Sequence, residues 1–337
     1  SPAMAMRCGG LSALALLALA LGVRPASGSA QASVGEIVYV GSTACDGDDW
    51  CSGCKDRPEA QRVVGALRVE RGGAMSPLRD LAADVGSLPV WFAEEGGCLF
   101  ITRADKDDVL AVAYDADGKI AAPGSSLPAG GRTPVHASVV AAGGSRYLLV
   151  ANYDGPGGQG ASVASFHMLE GCQLRLADVV EHHGSSVHPW RQTAAHVHSV
   201  TAGPGGSAYA CDLGTDEVIK YTVSPEDGKL HQAAIFKTTP GYGPRHAAVH
   251  PRLPLVYVVC EMAQVVLVLQ PGGGSGELSL IQELRLLQDG EDAEGNKAAE
   301  IVMQPDGSAI YVTNRGRLNT VTVFAVDGRG RLSQKQQ

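Results

Sequence analysis

The sequence predicts an all-β protein, a seven-bladed β-propeller truncated at its C-terminus to about six blades. Three observations carry that expectation. One hairpin motif recurs along the chain, with a period of roughly 45–60 residues. Asp-Gly pairs follow at matching places within the copies. The composition, with 43 glycines and 18 prolines among 337 residues and only 5% aromatics, suits many short strands joined by turns.

The hairpin is clearest in "HSVTAGPGGSAY" (198–209), "HAAVHPRLPLVY" (246–257) and "EIVMQPDGSAIY" (300–311). In each, a polar residue stands eleven positions before a Tyr. Two apolar runs flank a Pro/Gly turn between them, which is the pattern of a β-hairpin. "HASVVAAGGSRYLLVAN" from His136 reads as the same unit with a slightly longer turn, and "VWFAEEGGCLFIT" from Val90 is a fainter copy.

A third apolar run, a turn and a fourth short segment follow each hairpin. Clear examples are "VLAVAYDADGKI" (109–120), "VIKYTVSPEDGKL" (218–230) and "TVTVFAVDGRGRL" (320–332). Their Asp-Gly pairs at 117–118, 227–228 and 327–328 signal tight turns. Four strands per unit at this period describe a propeller blade.

Six units are expected, starting near Val34, Pro89, Pro134, Ala195, Gly243 and Lys297. Residues 178–194 read as an insertion between the third and fourth. The Gly-rich 271–276 and the acidic 288–296 read as face loops. "RLSQKQQ" directly follows a fourth strand, so a seventh blade or the strand that closes the ring is expected beyond it.

Residues 1–30 read as a targeting segment and 31–337 as the propeller. "MRCGGLSALALLALALGV" joins one Arg to an Ala/Leu run, and small residues follow. That is the layout of a secretory signal, with an apolar core too short to span a membrane. The expected destination is the secretory pathway or the exterior. The alternatives are a plastid, or the cytoplasm if the leader belongs only to the gene model. No other stretch could cross a membrane.

The formal net charge is −8 and no basic cluster appears, which argues against a nucleic-acid partner. Of eight cysteines, seven lie beyond the leader. Cys45, Cys51 and Cys54 could form a local disulfide with one thiol left over. Their C-x-x-C step lacks a second ligand pair, so no zinc site is expected. No metal and no cofactor are implied.

Candidate site residues come from the repeat register. First strands of propeller blades line the central channel, so equivalent positions converge. The eleven-residue spacing puts His198, His246 and Glu300 at one ring position, with His136 heading the same strand in its unit. Arg245 precedes His246, and His196 lies two before His198 on one side of a strand. Second strands end in Asn152, Asp212, Glu261, and Asn314 with Arg315. One such His could simply cap a strand; ionisable groups in four units argue for a cleft. His or Glu can move protons. Arg245 and Arg315 suit carboxylate or phosphate through paired hydrogen bonds. No G-x-S-x-G supports a serine nucleophile.

"PVHASVV…RYLLVANY", "AHVHSV", "GYGPRHAAVHP…VYVVCE" and "AAEIVMQPDGSAIYVTNR" resemble the signatures of the seven-bladed propeller lactonases. That family includes bacterial-type 6-phosphogluconolactonases and is related to carboxy-cis,cis-muconate cyclase. The likeness runs over about residues 34–333, with "YVGST" (39–43) as the opening strand. It implies a small-molecule lactone substrate, most simply 6-phosphogluconolactone, opened by water. It implies cleft residues His136, His198, Arg245, His246, Glu261, Glu300 and Arg315. On that reading His198, His246, Glu300 and Glu261 are catalytic. Arg245, Arg315, His136, His196 and Asn314 bind substrate. Ala195 stands where the family often has Pro, and Cys260 where it has Asn. A lactonase or cycloisomerase acting on a non-phosphorylated substrate is the alternative enzyme. A non-catalytic binding platform is the alternative from another class.

Overall fold

The computed structural model describes residues 37–42, 63–69, 75–77, 83–85 and 89–337, apart from 122–123, 273–275 and 289–293. The expected targeting segment and the Cys45/Cys51/Cys54 cluster lie outside the described residues. Six antiparallel four-stranded sheets, here I to VI, follow one another along the chain. Sheets II to VI are simple meanders; in sheet I the third and fourth strands both pair with the second.

The first strands run Ile37–Ser42, Pro89–Glu95, Arg132–Ala142, Val197–Ala202, Pro244–Val249 and Asn296–Met303. Each packs beside the first strand of the next sheet. They form the inner wall of a propeller.

Stacked sheets explain the apolar pattern. A middle strand is covered on both faces, so it reads as a continuous apolar run rather than an alternating one. Ser207–Asp212 and Val256–Cys260 are buried at every residue. Fourth strands lie outermost and are mostly exposed, as in Leu230–Lys237 and Leu278–Arg285. Sheets III and IV share a core around Tyr147, Leu149, Val200 and Tyr221. Tyr257, Val259, Ile310 and Phe324 join sheets V and VI. Burying each such side chain contributes about 1.5–3 kcal/mol.

The repeated Tyr has a role beyond bulk. The Tyr147 hydroxyl donates to the Pro225 carbonyl in the outer turn of the next sheet, at 3.1 Å. The Tyr257 hydroxyl donates likewise to Gly330, at 2.8 Å. In sheets III and V the repeat Tyr therefore fixes its neighbour's third-to-fourth turn, whereas the Tyr311 hydroxyl donates to Gln304 in its own hairpin.

Four details differ from the sequence expectation. Residues 178–182 are not insertion but the end of the fourth strand of sheet III, Gln173–His182; the connecting loop is 183–196. The turn after the His136 strand is short, two glycines with φ of 54° and 89° (Gly143 and Gly144). Such values match the twist of the flanking strands. Gly118 and Gly228 take positive φ as expected, but in sheet VI Gly330 does so and Gly328 does not. There the turn starts at Asp327, whose carbonyl accepts from the Gly330 N–H.

The fourth difference concerns register. Tyr209 pairs with Thr201, Tyr257 with Ala248 and Tyr311 with Val302. The sheet IV turn holds five residues (203–207), against six (250–255 and 304–309) in sheets V and VI. Counting back two from each partner, Ser199 is level with His246 and Glu300, and His198 is level with Arg245. Equal spacing in sequence hid a one-residue slip.

Bulges compensate. Every described first strand from sheet II onward has one near its start. It leaves out Val90, Val135, His198, Arg245, or Ala299 with Glu300. An unpaired bulge residue bends the strand and re-aims its side chain. His198, Arg245 and Glu300 are all such residues.

Candidate active site

At the inner mouth, His246 Nδ1 lies 2.8 Å from Glu300 Oε2, and its Nε2 lies 3.2 Å from His198 Nδ1. The His136 ring stands edge-on to His246 at 5.2 Å and is covered by Trp91 at 4.2 Å. Side chains from sheets II, III, IV, V and VI thus meet at one place. Burial pushes the His136, His198 and His246 imidazoles below the usual range, and Arg245 adds to that for all three. Glu300 opposes the effect on His246 without reversing it. These three rings are neutral at pH 7.

Beside them lies an arginine cluster. Glu261 is completely buried, and three guanidinium groups share it. Arg191 donates to Oε1 at 2.6 Å; Arg245 and Arg315 each donate to Oε2 at 3.1 Å. Burial pushes the Glu261 carboxyl up, but Arg245, Arg191 and Arg315 together hold it below the usual carboxylate range. Arg245 also donates to the Ala299 carbonyl at 2.6 Å. Burial, then Arg315, lowers Arg245 to about 10, so it stays charged at pH 7. Three positive groups paired to one carboxylate, with Glu300 also acting on Arg245, leave net positive charge. Arg315 is the most open of the three and, among the described residues, donates only its Nη2.

The expected residues divide into those that meet and those that support. His136, His198, His246 and Glu300 form the imidazole cluster; Arg245, Arg315 and Glu261 form the charged one. His196 precedes its strand, and its ring stacks on Tyr153 at 4.2 Å. Its Nδ1 lies 3.1 Å from the Tyr153 carbonyl. Tyr153 also meets His198, edge-on at 5.7 Å. Asn314 is buried and donates to Gln264, a link between sheets rather than a cleft group. Asn152 and Asp212 hold backbone and neighbouring side chains.

Three site residues escaped the sequence reading: Arg191, Tyr153 and Trp91. Arg191 sits in the stretch read as insertion, and Tyr153 directly follows the named Asn152. Arg191 also donates to the Tyr153 hydroxyl at 2.7 Å. Trp91 lies in the faint repeat. Cys260 is an inert core thiol, since burial raises it well above its usual value. Among the described residues, no group of three or more His, Cys, Asp or Glu is arranged to hold a metal ion.

Stacked meanders around a cleft of imidazoles and arginines define a propeller with a polar, charged central cleft. The family model described as "Lactonase, 7-bladed beta-propeller" matches residues 50–337, and the chain belongs to that family. An uncharacterized protein of Lactococcus lactis is 32% identical over 270 residues, which are 80% of this chain and 75% of that one. A 6-phosphogluconolactonase of Bacillus subtilis is 31% identical over 199 residues, 58% of this chain and 54% of that protein. The periplasmic gluconolactonase PpgL of Pseudomonas aeruginosa superposes with a TM-score of 0.70 at 29% identity, covering 80% of this chain and 77% of that one.

Proposed function

We propose that this protein hydrolyses a sugar lactone carrying an anionic group, with 6-phosphogluconolactone as the leading substrate. The observation that carries this reading is the Glu261 hub. Its three arginines leave net positive charge next to proton-accepting imidazoles. An anionic substrate is held at Arg315, Arg245 and Arg191 by paired, charge-assisted hydrogen bonds. The lactone carbonyl is then presented to the imidazole cluster. There a neutral ring draws a proton from water as its oxygen attacks, and returns it to the leaving ring oxygen. Glu261 is too deeply buried and too fully paired to be the base. Its part is to orient the arginines.

The test is turnover by the full chain of 6-phosphogluconolactone and glucono-δ-lactone, each above its spontaneous rate. Arg245→Ala should cut kcat/KM on the phosphorylated lactone at least tenfold more than on the neutral one. Equal losses on both would sink the phosphate role. No activity on any small lactone would favour a binding platform.

A second reading, hydrolysis of a non-phosphorylated sugar lactone, has its own observation. Cys98 and Cys172 form a disulfide. Such bonds persist in oxidising compartments, whereas sugar phosphates are mainly intracellular. Higher kcat/KM on the neutral lactone would select this reading.

A further inference from the structure

The hydrogen bonds of the imidazole cluster settle which ring can take a proton. A carboxylate accepts and does not donate. Glu300 Oε2, at 2.8 Å, therefore requires the proton of His246 to be on Nδ1. A neutral His246 then has a bare Nε2, which must accept. Its partner at 3.2 Å, His198 Nδ1, is the donor. A neutral His198 with its proton on Nδ1 carries a lone pair on Nε2. That atom makes no hydrogen bond to any other described residue, and His198 is half-buried, whereas His246 and His136 are buried. Both nitrogens of His246 are occupied, so it cannot take a proton from water without breaking the chain. The His136 Nδ1 faces the Val200 N–H at 3.4 Å, and its ring lies under Trp91.

We infer that Glu300, His246 and His198 form a one-way relay in which His198 Nε2 is the general base of the reaction, with His246 and Glu300 as positioning residues. This deepens the lactonase reading and rests on it for the identity of the reacting molecule. In the attack, a water O–H bond breaks and its proton goes to His198 Nε2. The water oxygen bonds to the lactone carbonyl carbon, and the carbonyl pair moves to its oxygen. When the tetrahedral species collapses, the carbon–ring-oxygen bond breaks. The ring oxygen takes the proton back from His198 Nε2, giving the hydroxy acid, which releases its own proton to solvent. Between the two steps the imidazolium is steadied through its Nδ1–H on His246, whose Nδ1–H remains on Glu300.

The groups facing His198 set its response to pH. Arg245 and His246 approach from sheet V, Arg315 from sheet VI and Tyr153 from sheet III. Burial first, then Arg245, His246 and Arg315, disfavour its charged form, and a hydrogen bond to its own backbone opposes them without reversing the shift. Activity therefore falls only well below pH 6.5.

Two measurements on the full chain test the inference separately from the function. In the first, nitrogen-15 histidine spectra at pH 7.5 report tautomers with no substrate present. His198 and His246 should both carry the proton on Nδ1; a His198 proton on Nε2 overturns the relay. In the second, His198→Gln should lower kcat on the lactone that the wild type turns over by about 10²-fold or more. KM should stay within about threefold. Glu300→Gln keeps an acceptor for Nδ1–H but removes the charge, so it should move the acid limb of kcat down by about half a pH unit. Retained kcat in a folded His198→Gln, or an unmoved acid limb in folded Glu300→Gln, overturns the inference while the lactonase reading stands. A wild type inactive on every lactone removes the reading, and the tautomer spectrum then decides the relay alone.

Discussion

Arg191 reaches Glu261 across 70 residues of sequence, with Nη2 2.6 Å from Oε1. This contact ties loop 183–196 to the cleft floor. The loop is also pinned by the Ser186 hydroxyl on Asp216 at 2.6 Å, and by Gln192 on the Leu213 carbonyl at 2.9 Å. The contact therefore sits on a preformed support. Removing a hydrogen bond between charged groups costs about 1.5–3 kcal/mol. Arg191→Ala is expected to raise KM for an anionic lactone about tenfold and leave kcat within a few-fold, as read by initial rates.

Among the described residues, Glu261 is the only carboxylate in direct ion pairs with Arg191, Arg245 and Arg315. Glu261→Gln would leave three guanidinium groups facing one another around a neutral amide. Breaking a buried pair on one side costs about 3–5 kcal/mol. The variant should show that loss in urea unfolding at pH 7. Its carboxyl is held low in the fold, so its contribution is present above its unfolded value, about 4.3, and is lost as pH falls through the folded value. The gap between wild type and Glu261→Gln should therefore close at low pH.

The three depressed histidines set acid stability with the same sign. Unfolded imidazoles bind protons at about pH 6.5. Folded His136, His198 and His246 bind them only at lower pH. Stability is fully present above pH 6.5 and falls as pH drops below it, by up to about 1.4 kcal/mol per unit for each ring. Unfolding at pH 7.5, 6 and 5 should show the decline. His136→Asn should reduce its slope by about a third.

The Cys98–Cys172 bond crosses from sheet II to sheet III over a separation of 74 residues. It holds the sheet that carries Trp91 against the one that carries His136. Cutting a cross-link over such a loop costs about 2–4 kcal/mol. Cys98→Ser, or reduction of the wild type, should lower Tm measurably. Alkylation of the unfolded, unreduced chain should show this pair protected and Cys211 and Cys260 reactive.

Gly330 has φ of 78°, and a Cβ there would lie 1.9 Å from Leu255 Cδ1. Its carbonyl also receives the Tyr257 hydroxyl. Gly330→Ala is expected to cost about 1–3 kcal/mol through backbone strain and overpacking. Gly328→Ala, with no neighbour near its Cβ, should cost little. Thermal melts of the two variants check the contrast.

Much of the fold was legible in the chain because blades repeat. Turn residues and apolar runs are local signals, and a Tyr marks the hairpins of sheets III to VI. From them came the six units and the ring position of His136, His246 and Glu300. The same locality limits what sequence can show. Spacing from His198 to Tyr209 equals that from His246 to Tyr257, yet a turn one residue shorter shifts the pairing, and only a bulge brings His198 back to the cleft. Glu261 reads as an acid like any other until three guanidinium groups close on it, two of them from distant segments. Arg191 carries no repeat signal, because it lies in the loop between sheets III and IV and outside the repeated strands. Cys98 and Cys172 look like two unrelated cysteines until stacking sets them side by side. Sequence determined the strands, their turns and the family of side chains at the mouth. Tertiary structure decided which side chains meet and which is left to act. Hydrogen-bond partners and desolvation belong to the packed interface between sheets and to no single segment.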